Sequence, residues 1–327
     1  ANGQGPQGPL ASPIRNRGEG GRPMQGSSLR LGLIADIHHG PDLGTKIGSA
    51  ALPLMRDVLP ELKALNADAV IELGDRINDV DHDEDLKLTA EVAGAFGTAG
   101  LQAAHLLGNH DNHEISRAES ENAFQASFAS RSFDRNGFHI VIWNADTHVR
   151  PGDGFRLGEG DLAWLEADLA ATELPTVICS HVPLDNGSME GNLYFERHRH
   201  FAFYEQAGEG AAVRQVIERS GKVVLCLAGH THWNALHVID GIPYVTVHSL
   251  TESFTTAGKP TGAWGVAEIG ETIDIQVFGR DPVRFVLPRR DPAVHWTSRT
   301  RDHAPKPPPA PEWLRRKREA FLKDGGT

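Results

Sequence analysis

The chain has 327 residues, 39% of them apolar, enough to bury a core without disulfide staples, and no apolar run reaches the roughly 18 residues that cross a bilayer. Its formal charge of -11 is uneven: residues 1–28 carry +2 and residues 284–327 carry +6, which leaves -19 on residues 29–283. So acidic a body repels a phosphate backbone unless bound cations or a local basic patch offset it, which disfavours a general nucleic-acid binder, and acidic residues gathered in one place can instead hold metal.

Residues 1–28 are rich in Gly, Pro, Ser and Gln, lack apolar periodicity, and read as a flexible extension. The start Ala1-Asn2-Gly3 fits removal of a leader as well as a Met-Ala start, so cytoplasmic and exported (periplasmic) locations both stay open. Leu29–Ala35 is a short branched apolar run that reads as a strand, Ser49–Leu65 has apolar residues at helical spacing, and Ala67–Leu73 is strand-like again. The β-α order continues with Glu84–Phe96 as helix, Gln102–Leu107 as strand, Ser116–Phe128 as helix, Phe138–Trp143 as strand and Gly160–Ala171 as helix. Pro175–Cys179 and Lys222–Ala228 read as buried strands around a helix at Gly210–Ser220, and their Cys179 and Cys226 as reduced, buried thiols.

From Ala235 the pattern changes to hairpins: His237–Ile239 with Tyr244–Val247 across Asp240-Gly241, then Gly262–Ile269 with Ile273–Phe278 across Gly270-Glu271. The first half asks for parallel or mixed pairing and the second for antiparallel pairing. An α/β (α+β) arrangement of two packed sheets with helices outside satisfies both. Beyond it, 284–327 reads as a tail, with a polyproline spacer at Pro305–Pro311 and a short basic helix at Glu312–Lys323.

Polar residues of one chemical kind follow the strands. They are Asp36-Ile37-His38, Gly74-Asp75, Gly108-Asn109-His110-Asp111, His181, and Gly229-His230-Thr231-His232. Five strand ends thus meet at the edge where open α/β sheets bind ligands, and they carry carboxylate, imidazole and amide oxygen, the donor groups of metals. In an extended segment alternate side chains face one way, so Asp36 with His38, and His230 with His232, are expected to aim at one site. Asp75 is the natural bridging carboxylate, since each of its oxygens can take an ion, and Asn109 adds a ligand without adding charge.

These five blocks, with Gly74-Asp75-Arg76-Ile77-Asn78 as the second, resemble the signature of the calcineurin-like metallophosphoesterase superfamily over about residues 29–280. The resemblance implies a four-layer α-β-β-α sandwich, with 29–283 as the catalytic domain. It implies that Asp36, His38, Asp75 and His232 hold one metal and that Asp75, Asn109, His181 and His230 hold the other. It further implies that His110 faces the substrate, with Asp111 as its orienting partner. Two metal ions roughly 3.5–4 Å apart can share a water or hydroxide, lower its pKa and aim it in line at phosphorus, while His110 assists the leaving oxygen. Nitrogen and oxygen ligands suit Mn, Fe, Zn or Co alike, and Mn is taken as the first choice, with Fe/Mn or Zn behind it.

Departures from sister patterns sort the subfamily. Asn78 stands where purple acid phosphatases place a ferric-binding Tyr. Asn78-Asp79-Val80 replaces the Asp-Arg-Gly continuation of protein Ser/Thr phosphatases, and His110 replaces the Arg of lipid A pathway hydrolases. The chain is also too short for a two-domain 5′-nucleotidase. The pattern is most similar to single-domain bacterial phosphodiesterases, which implies a small phosphate-ester substrate. A broad phosphomonoesterase is the alternative, with a nuclease, diphosphatase or phospholipid headgroup hydrolase behind it. A non-catalytic scaffold is disfavoured because every ligand position is intact.

Several residues are candidates to touch substrate: His39 and Arg76, each beside a ligand, and His113 beyond Asp111. The long segment Leu184–Glu205 supplies Tyr194, Arg197, His198 and His200 and reads as a cap or a homodimer element; the basic tail is a second candidate for self-association. His248 reads as a core or pocket-wall histidine, and Asp79, Asp81, Asp83, Glu84 and Asp85 as a solvated helix start.

Overall fold

The computed structural model describes residues 28–290. The N-terminal extension through residue 27, and the tail from 291 with its polyproline spacer and basic helix, lie outside the described residues. In chain order the first half contains β1 (Leu29–Ile34), α1 (Ala51–Ala64), β2 (Ala69–Glu72), α2 (His82–Ala99), β3 (Ala104–His105), α3 (Arg117–Phe124), β4 (Arg131–Arg135) and β5 (Phe138–Ile142). There follow α4 (Asp161–Ala170), β6 (Thr176–Cys179), α5 (Glu209–Ser220), β7 (Val223–Ala228), β8 (Ala235–Ile239), β9 (Ile242–Thr246), β10 (Trp264–Ile269), β11 (Thr272–Phe278) and β12 (Val283–Pro288).

The strands form two mixed six-stranded sheets, ordered β12-β11-β10-β1-β2-β3 and β4-β5-β6-β7-β9-β8. Strands β1, β2 and β3 run parallel, as do β5, β6, β7 and β9, while hairpins supply the antiparallel margins. The inner faces meet in one apolar layer that includes Leu31 and Leu33 of β1, Ile140 of β5, Leu225 of β7 and Ile275 of β11. Helices α1 and α2 cover the outer face of the first sheet through Met55, Leu59, Val92 and Phe96. Leu165 and Leu169 of α4 and Val213 and Ile217 of α5 cover the second. This is the expected α-β-β-α order, and it exists because each sheet has two apolar faces to bury.

Local chemistry sets the boundaries. Asp81 caps α2 by accepting the amide hydrogen of Glu84, and Ser116 with Glu119 forms a capping box at α3. Asp240 and Gly241 both take positive φ, 51° and 73°, and close the β8–β9 hairpin as a two-residue turn. Two strands are absent from the sequence reading. Strand β4 is an edge strand of sequence Arg-Ser-Phe-Asp-Arg whose single apolar residue, Phe133, packs on the core, so it lacks an apolar run. Strand β12 falls, but for Val283, within residues assigned to the tail. Its Val283, Phe285 and Leu287 pack on the inner layer while Val286 is exposed, so the first sheet continues to Pro288. Cys179 and Cys226 are free and buried, in the inner and the outer apolar layer respectively. No helix of the described residues is long and apolar enough to cross a membrane.

Candidate metal centre

The segments after β1 and β2 stay paired beyond the strands. The amides of Asp36, His38 and His39 donate to the carbonyls of Gly74, Asp75 and Arg76 at 3.0, 3.0 and 2.8 Å, so the two loops run side by side into the site. Asp36 (φ 49°), His38 (47°), Asp75 (55°), His230 (70°) and His232 (57°) all take left-handed backbone. Each such residue costs on the order of 1 kcal/mol, and such strain gathers where surrounding structure over-determines it. The expected pairs Asp36/His38 and His230/His232 do converge. They do so through left-handed turns rather than through the alternation of an extended strand. Gly108 admits the approach: a Cβ there would lie 2.0 Å from Asp75 Oδ1.

Asp36, His38, Asp75 and His232 bring ligand atoms within 4.8 Å of one another, as do Asp75, His181 and His230. Asp75 belongs to both groups: its Oδ2 lies 3.7 Å from His38 Nε2 and 3.3 Å from His181 Nε2. Asn109 Oδ1 stands 3.4 Å from His181 Nε2, on the second side. Hydrogen bonds behind the rings choose the facing nitrogen. His181 Nδ1 donates to the Leu73 carbonyl at 2.8 Å and His232 Nδ1 to Glu252 Oε2 at 2.9 Å, which leaves both Nε2 atoms facing inward. His230 is reversed: its Nε2 donates to the Phe201 carbonyl at 2.7 Å, which leaves Nδ1. Asp36 is steadied by the His230 amide at 2.9 and 3.0 Å.

This donor set fits two cations. His38 Nε2 and His232 Nε2 face each other at 2.9 Å, an arrangement of lone pairs that is favourable only with a proton or a cation between them. The protonation pattern agrees. Burial opposes charge on His181, but the Asp75 carboxylate outweighs it and holds the imidazole up to about 9. Asp36 and Glu252 likewise outweigh burial at His232, at about 9. Burial, with His181 beside it, drives His230 down to about 3, and burial with nearby Lys46 holds His38 well below its ordinary range. Without cations, charge on His181 and His232 is what the carboxylates of the cluster favour.

His110 lies at the rim, half-buried, with its amide donating to Asp75 Oδ1 at 2.9 Å. Its expected partner Asp111 is elsewhere. The Asp111 carboxylate accepts the amides of Asp75, Gly108 and Arg76, each at 2.8 Å, and lies 3.2 Å from the Arg76 guanidinium. It is a buried clamp on the two ligand loops. The partner of His110 Nδ1 is Asp79, whose other oxygen lies 3.0 Å from His113 Nδ1. Asp79 thus belongs to the site, whereas Asp81 is the helix cap.

Arg76 does not reach the pocket. It is buried in an ion pair with Glu72 at 2.8 Å, and its guanidinium lies over the Phe128 ring at 4.6 Å. His39 turns to α2, where Nε2 meets Glu91 at 2.6 Å. Both proposed substrate contacts are therefore structural, because the turns after the ligands point these side chains back into the fold. His113 is exposed at the rim, and Arg197 is exposed on the Leu184–Glu205 segment. His198 and His200 sit beside Phe201, with the His200 and Phe201 ring centroids 4.0 Å apart. Tyr194 Oη is 2.6 Å from Thr45 Oγ1, and its ring lies 5.7 Å from that of His232. Phe195 lies 5.0 Å from the His230 ring. The segment is therefore a packed wall of the centre. His248 has both ring nitrogens bonded, to Ser249 O and Thr255 Oγ1, as a core histidine.

Two further residues escaped the sequence reading. Glu252, fully buried, orients His232, and Lys46, 5% exposed, places Nζ 3.2 Å from His110 Nε2. Neither lies near a recognisable block, so no local signal marks them.

The family model for calcineurin-like phosphoesterases matches residues 29–234. A dimetal phosphatase from Danio rerio superposes with a TM-score of 0.63 at 18% identity, covering 80% of this chain and 99% of its own. GAP50, the anchor in the inner membrane complex of Plasmodium, gives 0.50 at 11% identity, covering 81% and 90%. At these identities the likeness is one of fold. No curated protein matches the chain.

Proposed function

Because the chain belongs to the calcineurin-like phosphoesterase family, and is a metal-dependent phosphoester hydrolase, we propose that it cleaves small phosphodiesters at a two-metal centre. Asp36, His38, Asp75 and His232 hold one ion in this reading, and Asp75, Asn109, His181 and His230 hold the other, with Mn as the first choice. The observation that carries it is the convergence of these donors on a shared Asp75 with His110 beside them. The charge balance supports a diester: a body of charge -19 opposes a dianionic monoester more than a monoanionic diester. Asn78, where a ferric-binding Tyr would stand, is buried and its Nδ2 donates to the Pro41 carbonyl at 2.8 Å.

When bound, two such ions supply an activated water and neutralise the phosphoryl oxygens. The chain itself positions them and manages the leaving group. Asp75 is fixed by Asp111, and His110, held through Nδ1 by Asp79, turns Nε2 to the alcohol oxygen that departs. Removing one such preorganised donor costs on the order of 3 kcal/mol, about a hundredfold in rate. The deciding experiment compares kcat/KM of the metal-reconstituted protein for bis(p-nitrophenyl) phosphate and p-nitrophenyl phosphate. Comparable or better turnover of the diester supports the proposal. Strong preference for the monoester replaces it with a phosphatase.

A further inference from the structure

Lys46 is a buried ammonium group that the five sequence blocks do not include. Its backbone is held from two sides: it exchanges both hydrogen bonds with Leu43, at 2.9 and 3.0 Å, and forms a bridge to Glu252, while the next amide donates to Thr251 O at 3.0 Å. Gly48 closes this loop so tightly that a Cβ there would stand 2.7 Å from the His38 and Gly40 carbonyls. The side chain is thus presented from a rigid loop rather than a mobile one. Among the described residues its Nζ makes one hydrogen bond, to His110 Nε2 at 3.2 Å, and no ion pair. Burial lowers the Lys46 ammonium from its ordinary range, while the carboxylates of Asp75, Glu252, Asp79 and Asp36 around it favour its charge, so its free N–H groups face the centre from an acidic setting.

Resting on the reading that His110 faces the departing oxygen, we propose that Lys46 is a second donor to that same oxygen, so that the leaving group is received between Lys46 Nζ and His110 Nε2. Two nitrogens 3.2 Å apart can both reach one oxygen at about 2.9 Å from each. In hydrolysis a bond forms from phosphorus to the water oxygen. The bond to the leaving oxygen breaks and its electron pair stays there. Lys46 turns an N–H from His110 Nε2 to that developing charge and keeps its own proton. The alcohol takes its proton from a His110 protonated on both nitrogens, whose Nδ1–H stays on Asp79, and the attacking water loses its proton to solvent. A donor of this kind matters most when the leaving alcohol is a poor one.

The test uses the full metal-loaded chain and a ladder of aryl methyl phosphates, from p-nitrophenol as a good leaving group to unsubstituted phenol as a poor one. Lys46→Met is expected to lower kcat/KM about tenfold for the first and about a thousandfold for the second, with Lys46→Arg recovering part of the loss. Metal content per chain and melting temperature should match wild type, which separates the effect from damage to the centre. If Lys46→Met does not fold, Lys46→Gln is read on the same ladder. An equal loss for every leaving group would place Lys46 on a non-bridging oxygen and overturn the proposal, as would no loss. A wild-type preference for monoesters overturns the diester reading alone, since the ladder of aryl phosphates then decides the role of Lys46 in the same way.

Discussion

Asp79, four residues beyond the shared carboxylate Asp75, accepts the hydrogen bond from His110 Nδ1, and Asp111, the neighbour of His110 in sequence, does not. Burial alone would raise the Asp79 carboxyl, but its bond to His110 holds it down to about 2, so it is ionised across the working range. In the proposed mechanism it fixes the ring, so that Nε2, 3.2 Å from Lys46 Nζ, is held toward the leaving oxygen. Asp79→Ala should therefore lower kcat by about a hundredfold, the scale of a misplaced catalytic group. Metal content, read by elemental analysis, should stay at the wild-type level; a loss of metal would mean that Asp79 supports the centre instead.

Asp111→Asn should show the opposite pattern. Its carboxylate gathers three loop amides and Arg76, and an amide group cannot accept on both sides. Loosening a group that orients a ligand typically costs 10–100-fold in metal affinity. Titration with Mn followed by melting temperature should show that weakening, with kcat at saturating metal much closer to wild type.

Loading the centre should release protons. His181 and His232 carry folded pKa values of about 9, whereas His230 at about 3 and His38 are already neutral. A ligating imidazole must be deprotonated, so binding two ions at pH 7 should release about two protons per chain. Calorimetry in buffers of different ionisation enthalpy measures this number directly, and a value near zero contradicts the assignment of these two residues.

The metal-free protein should lose stability in alkali. The folded pKa of about 9 at His181 and His232 lies above the ordinary 6.5, so their contribution is fully present below about pH 6.5 and fades as pH rises through 9. Beyond that, Asp36, Asp75 and Glu252 lose the counter-charge of these two rings. Asp75 has the reverse sign: imidazoles around it hold its carboxyl well below 3.8 against burial, so its contribution is present above that value and is lost in acid. Melting temperature without metal should fall between pH 7 and 10, and added metal should remove most of that fall. A flat metal-free profile would show that the two rings are not protonated in the empty centre.

Much of this molecule is legible in one dimension. The alternation of strands and helices, the β8–β9 turn at Asp240-Gly241 and the burial of Cys179 and Cys226 follow from periodicity and turn chemistry, which act over a few residues. The five blocks lie at strand ends, and parallel strands bring those ends to one edge whatever the detail of packing. Strand β4 was hidden because a half-buried edge strand has little apolar signal, and β12 because Arg284 and the basic residues that follow the strand read together as a tail. The duties of the side chains around the ligands were decided only by the fold. Asp79 meets His110 across 31 residues, Lys46 meets the same ring across 64, and His39 turns to Glu91 across 52. Direction there is set by left-handed turns and by neighbours from other elements. Neither has a period in the sequence, so the residue types and the edge they share could be read before folding, but the partner of each side chain could not.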